Sequence, residues 1–181
     1  MQSGSQCSGL EIAGIGIDAN HQLFVHDSAT KRLFVFDANG QQLRPSQNVT
    51  SSYTHVEVYD NFIYLIGYDG NFVQFSKQDL AADLTPIKHW GGVDQAATSI
   101  AEPWDITLAP DGSLFVADLK TGRIYRMMNN QIKQSWSLTE FGRSGGDQPV
   151  GVAFDRNGKL LVVTTGHYLQ RFRYDVSQST L

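Results

Sequence analysis

Residues 106–127 read ITLAPDGSLFVADLKTGRIYRM. Ile106 and Leu108 alternate with less apolar positions, the period of a strand with one face inward. Pro110-Asp111-Gly112 follows, and these residue types tolerate the left-handed conformations of a tight hairpin turn. Leu114-Phe115-Val116-Ala117-Asp118 is almost continuously apolar, as a strand covered on both faces requires. After a polar turn, Ile124-Tyr125-Arg126-Met127 supplies a third strand. Outward from this stretch, the same order returns in IGIDANHQLFVHDSATKRLFVFD (15–37), VEVYDNFIYLIGYDGNFVQFS (56–76) and VAFDRNGKLLVVTTGHYLQRFRYD (152–175).

Phe24, Tyr64, Phe115 and Leu161 occupy one equivalent position, separated by 40, 51 and 46 residues. A repeat of that length made only of strands predicts an all-β fold, a β-propeller of four-stranded antiparallel blades with four repeats visible. The blades are expected at about 10–48, 49–92, 93–140 and 141–181, after a flexible tail over 1–9. Outer strands are expected at Gln41-Gln42-Leu43-Arg44, Thr85-Pro86-Ile87-Lys88-His89 and Gln131–Trp136. Their Lys, Arg and Pro suit an exposed edge that must not pair with other edges. Residues 92–101 could form one turn of helix between blades two and three. Propellers run from about four to eight blades. Four repeats therefore fit a small propeller or part of a larger one, with self-association through open blade edges as a way to complete it.

The 181 residues carry 14 Lys and Arg against 18 Asp and Glu, a net charge of -4. Nucleic acid and anionic membrane both require clustered cations, so neither partner is expected. No apolar run is long enough for a transmembrane helix. No signal peptide is visible, so an extracellular or periplasmic location would require a leader already removed. Cys7 is the single cysteine. It permits no internal disulfide, and its Ser/Gly-rich setting would not lower its pKa for nucleophilic work. Asn48-Val49-Thr50 matches the glycosylation acceptor triplet, a pattern common by chance.

The third and fourth copies resemble NHL repeats. The third copy offers Gly91-Gly92, Pro103, Asp105-Ile106, Asp111-Gly112, Leu114-Phe115-Val116-Ala117-Asp118 and Arg123-Ile124. Phe141-Gly142-Arg143-Ser144-Gly145-Gly146-Asp147-Gln148-Pro149 is similar to the family's linker, and the first copy keeps Asp27 and Arg32-Leu33. The repeat-specific Asp is replaced by Gly67 and Thr164 in copies two and four. Asp27 with Arg32, and Asp118 with Arg123, are expected to pair and tie a strand end to the next turn. The resemblance implies a propeller that presents loops and a channel mouth to a ligand.

In such a fold the first strand of each blade lines the channel. Gly14, His55, Asp105 and Gly151 share one equivalent position, and Gly16, Glu57, Thr107 and Ala153 lie two residues on. His55 and Glu57 therefore share a face, with Asp105 expected at the same height on the adjacent blade. A His-Glu-Asp group suits a divalent metal or acid/base chemistry, while water-solvated channel residues are the simpler reading. Tyr53, Trp90, Trp104 and Trp136 fall at or beside inter-blade linkers, where aromatic rings suit protein or carbohydrate contacts or pack between blades. The other histidines match no metal-binding spacing, and no Gly-x-Ser-x-Gly elbow occurs.

Two functions compete. The first is a binding module for a protein or small-molecule ligand, with Tyr53, His55, Glu57, Trp90, Trp104 and Asp105 near the channel mouth. The alternative is a divalent-metal-dependent propeller enzyme, similar to lactonases or the peptide-amidating lyase, with His55, Glu57 and Asp105 as ligands. The lack of a complete catalytic constellation favours the binding module.

Overall fold

The structure is a computed structural model, which describes residues 11–67, 70–78, 83–90, 100–129, 131–141 and 146–173. The expectations for the tail over 1–9, for Cys7 and for a helical turn near 92–99 lie outside these residues. The described strands form four sheets in chain order. The first sheet holds β1 (Ile12–Ile17), β2 (Leu23–Asp27), β3 (Arg32–Phe36) and β4 (Gln47–Asn48). The second holds β5 (His55–Tyr59), β6 (Phe62–Ile66), β7 (Phe72–Ser76) and β8 (Lys88–Trp90). The third holds β9 (Pro103–Leu108), β10 (Leu114–Asp118), β11 (Arg123–Met128) and β12 (Gln131–Ser137). The fourth holds β13 (Pro149–Phe154), β14 (Lys159–Thr164) and β15 (Leu169–Arg173). Each is an antiparallel blade whose strands follow in sequence, so every connection within a blade is a hairpin.

Two compact units divide the chain: Met1–Leu65 with Gln74–Lys88, and Ile66–Val73 with His89–Leu181. In the first unit, β1 packs on β5 across a close junction. A Cβ on Gly14 would stand 2.8 Å from Val56 Cγ2, and one on Gly16 would stand 2.8 Å from the Val56 carbonyl oxygen. Glycine is needed here because any side chain would push the two strands apart. Val56 and Val58 are buried by this contact. Phe24, Leu33, Val35, Ile63 and Leu65 are also buried in this unit.

In the second unit, Ala109, Phe115, Ala117, Ile124 and Leu138 form one apolar cluster with Val152, Leu160 and Val162 of the following blade. Phe115 is its centre. It lies parallel to Trp136 at 5.8 Å and edge-on to Phe154 at 5.1 Å. Trp136, expected in the outer strand beside a linker, lies in β12 and its ring covers the core.

The three blades whose register is defined carry the same irregularity. The first strand slips by one residue between Ile12 and Gly14, between Pro103 and Asp105, and between Pro149 and Gly151. The extra residues are Ala13, Trp104 and Val150. A bulge leaves its extra residue unpaired and turns its side chain away from the ladder.

Two expectations need correction. The outer strand of blade one is Gln47–Asn48, not Gln41–Arg44. Gln42 makes only an isolated bridge to Phe36, and Pro45 has no N–H to extend that ladder. The paired residues Asp27 and Arg32 are opposite one another, as are Asp118 and Arg123, but they form no ion pair. Asp27 Oδ1 accepts from the amides of Glu11 (2.8 Å) and Ala29 (3.2 Å), and Oδ2 accepts from the Thr30 hydroxyl. Asp118 accepts from the amides of Ala101, Glu102 and Thr121, at 3.1 Å for Glu102 and 2.9 Å for Thr121. The arginines turn outward instead, Arg32 to Ser46 Oγ and Arg123 to Ser135 Oγ. A buried carboxylate gains more from several fixed amides than from one mobile guanidinium, because each amide also needs an acceptor.

Candidate functional site

The linkers that precede the first strands, and the turns after the second strands, meet at one end of blades one, three and four. Backbone pairs close this end: Ser28 N–H to the Glu11 carbonyl, Leu119 N–H to the Glu102 carbonyl, and Thr165 N–H to the Gln148 carbonyl, each at 2.9 Å. In blades one and three the returning amide, of Glu11 or Glu102, donates to the Asp that ends the second strand. In blade four, Gln148 N–H donates to Thr165 Oγ1 at 3.1 Å. The residue after Thr164 thus takes over the missing carboxylate's task.

The opposite end carries a second set of carboxylates. Asp18, Asp37, Asp111 and Asp155 each begin a turn and accept amides two or four residues on. Three of them also hold a cation: Lys77 on Asp18 at 2.6 Å, Arg126 on Asp111 at 3.1 Å and Arg171 on Asp155 at 2.7 Å. Burial works to raise the Asp18 carboxyl, but Lys77 and the amides of Gln22 and Asn20 hold it below its usual range. The Lys159 amide, with Asn157 and Arg171, lowers Asp155 against a smaller effect of burial. These groups are committed to holding turns.

The sequence-predicted site residues divide by exposure. Tyr53 is buried, edge-on to the ring of His26, and its carbonyl lies 2.7 Å from His26 Nδ1. Trp90 is buried and stacks on Phe72 at 4.6 Å. Neither ring offers a face to a ligand, which corrects their assignment to the channel mouth. Tyr53 lies in the linker before β5 and Trp90 ends the outer strand β8, and aromatic rings with apolar neighbours are drawn inward by the area they remove from water. His55 and Glu57 are half-buried on the face of β5 opposite Val56 and Val58. Asp105 is half-buried on β9 and belongs to the other unit. Its Oδ1 accepts from Ile106 N–H at 2.9 Å, and its Oδ2 from Val152 N–H of the next blade at 2.8 Å. Among the described residues, no group of three or more His, Cys, Asp or Glu is placed to hold a metal ion. Trp104 is the exposed aromatic of the predicted set, at 39%. It is the bulge residue of blade three, set between the buried Pro103 and the tethered Asp105.

Sequence reasoning passed over two residues. Tyr168, in the turn after the second strand of blade four, is 49% exposed at the same end of its blade as Trp104 has in blade three. His26 is fully buried, and its Nε2 has no hydrogen-bond partner. Its place between Val25 and Asp27 in an apolar strand was the available signal. Burial pushes its pKa down, and the Tyr53 carbonyl and Asp27 only partly oppose this.

The fold defines this chain as a β-propeller. Solved propellers are similar to it over nearly its whole length. A catalytically inactive virginiamycin B lyase from Staphylococcus aureus with quinupristin is 11% identical, with a TM-score of 0.63, over 95% of this chain and 58% of its own. The WD40 propeller domain of Doa1 is 12% identical with a TM-score of 0.61, over 90% and 50%. The Swd1 propeller domain of Myceliophteria thermophila is 12% identical with a TM-score of 0.71, over 94% and 54%. At such identities the likeness is one of fold alone, and this chain spans little more than half the length of these proteins. No family model and no curated protein matches the sequence. No helix among the described residues is long and apolar enough to cross a membrane.

Proposed function

We propose that the chain is an NHL-like β-propeller binding module that takes a protein ligand at the linker end of its blades, with Trp104 as anchor. The observation behind this reading is the exposed indole of Trp104, lifted out of the ladder by a bulge whose neighbours are fixed. Exposed aromatics on rigid supports are the usual anchors of protein recognition, because they bury much area at small entropic cost. Propeller domains such as those of Doa1 and Swd1 lend a precedent of fold, since WD40-type propellers are a common scaffold for protein contacts.

The metal-dependent enzyme is the weaker alternative. Asp105, one of its three ligands, has both oxygens engaged by backbone amides, so releasing them would unpick the junction of blades three and four. Selection of a random peptide library on the immobilised chain tests the binding reading. Selected peptides should lose at least tenfold in affinity for Trp104→Ala while its melting temperature stays unchanged. Peptides that bind the variant equally well overturn the anchor. Stoichiometric uptake of zinc or calcium, abolished by His55→Ala, would transfer the site to the enzyme reading.

A further inference from the structure

The carboxylates at the linker end of blades one, three and four have different fates. Asp27 and Asp118 are fully buried, and backbone amides and a hydroxyl occupy their oxygens. Blade four has Thr164 there, opposite Pro149 as Asp118 is opposite Pro103. Its nearby carboxylate comes instead from the linker, at Asp147. Asp147 is half-buried, and among the described residues no hydrogen bond or ion pair holds its carboxylate. Holding a turn, the task of the other two, does not explain it.

The groups around Asp147 form one corner of the second unit. Asp147 Oδ1 fills the space that a Cβ on Gly166 would need, and Tyr168 Cδ2 stands 3.0 Å from that point. Carboxylate and ring therefore flank one glycine, and any side chain there would displace them. Thr164 N–H donates to the Tyr168 carbonyl at 3.1 Å, so these residues are opposite one another and share a face of the blade. It is the face that Leu160 and Val162 turn to blade three. At its end Thr164 is 2% exposed, and its Oγ1 has no hydrogen-bond partner, which a buried hydroxyl rarely tolerates. Tyr168 is 49% exposed. Trp104 precedes Asp105, whose Oδ2 accepts from Val152 N–H of this same blade.

A carboxylate only accepts hydrogen bonds, a hydroxyl has lone pairs to offer, and a phenol ring attracts cations to its face. All three suit a cation that donates hydrogen bonds. Among the described residues no group of three or more His, Cys, Asp or Glu is placed for a metal, so the fitting cation is an organic one. We propose that this corner takes a primary ammonium group, the side chain of a lysine in the protein ligand. The ammonium pairs with Asp147, lies on the Tyr168 ring and finds a further acceptor in Thr164 Oγ1. This rests on the binding reading above, whose anchor is Trp104, and adds the chemistry of the ligand. The chain's net charge of -4 favours encounter with a basic partner.

Titration of the isotope-labelled chain with Nα-acetyl-lysine methylamide, followed by amide NMR, tests this. Amides of 147–148 and 164–168 should shift saturably, with millimolar affinity. The same probe acetylated on its ε-nitrogen should leave them unmoved. Asp147→Asn should weaken binding at least tenfold and Tyr168→Leu at least threefold, with amide spectra away from the corner matching the parent. The acetylated probe keeps the test independent of how either variant folds. Equal shifts with both probes overturn the proposal, as does lysine binding that Asp147→Asn leaves intact. Selected peptides that need Trp104, with a lysine probe that moves none of these amides, would keep the anchor and overturn the ammonium site. A lysine probe that binds as expected, with peptides indifferent to Trp104→Ala, would keep the site and remove the anchor.

Discussion

Blades three and four solve the same two problems with different residues. At the linker end, blade three holds three backbone amides on the Asp118 carboxylate, while blade four holds one amide on the Thr165 hydroxyl. At the other end, both lock the first turn with an Asp and an Arg from the third strand. Arg126 is opposite Phe115, and Arg171 is opposite Leu161, the equivalent position. Arg126 is 2% exposed and donates to Asp111, Ser113 and Gln134. The Arg171 side chain is 51% exposed and donates to Asp155. One motif thus occurs in buried and exposed forms within a single unit. The difference teaches that a repeat conserves geometry more strictly than energy.

The largest effect should come from Arg126→Met. It strands Asp111, Ser113 and Gln134 without their donor, so the urea midpoint should fall by an amount worth about 3 kcal/mol. Arg171→Met, its counterpart in blade four, should leave the midpoint unchanged, because an exposed pair contributes little. Equal losses for the two would break the comparison. Next in size, Asp118→Ala should cost about 2 kcal/mol by orphaning amides of the linker and turn. Thr165→Val removes one acceptor and should cost about 1 kcal/mol in the same unfolding assay. A larger loss for Thr165→Val than for Asp118→Ala would show that the two residues do not play equivalent parts.

The smallest effect sharpens the comparison from outside. His26 of blade one holds the position that Ala117 and Val163 occupy in blades three and four. Its folded pKa lies below the ordinary value of 6.5. The unfolded chain therefore binds a proton first as pH falls, and stability is lost below about pH 6.5. Asp18, Asp27 and Asp155 are lowered from 3.8 and add their own loss only in a more acidic window. His26→Gln should flatten the decline that begins below about pH 6.5 in thermal melts and leave the acid limb intact. An undiminished decline would assign it elsewhere.

Much of this architecture was legible before any coordinates. The phase of the repeat, marked by Phe24, Phe115 and Leu161, places the second strands correctly in the sheets. The Asp and Gly of Pro110-Asp111-Gly112 and Asp155-Arg156-Asn157-Gly158 mark the turns that the structure shows. The site was less legible. Trp90, Trp104 and Tyr53 look alike as linker aromatics, yet exposure separates Trp104 from the other two. Asp118 and Arg123 read as an ion pair because they are opposite in sequence register, whereas the carboxylate's partners lie 16 and 17 residues upstream. Backbone amides are identical at every residue, so sequence carries no mark of which of them will reach a given acceptor.

What the sequence by itself determined is therefore periodic: strands, their alternation, the hairpin turns and the four-fold repetition that makes blades. These follow from neighbours a few residues apart, where side-chain type and backbone preference act directly. Only the tertiary structure decided which alternating apolar face is covered. Val56-x-Val58 and Ile15-x-Ile17 are the same signal, yet the first is buried by Gly14 and Gly16 while the second is bare. Period two specifies that a strand has an apolar side, but the partner for that side comes from a segment distant in the chain.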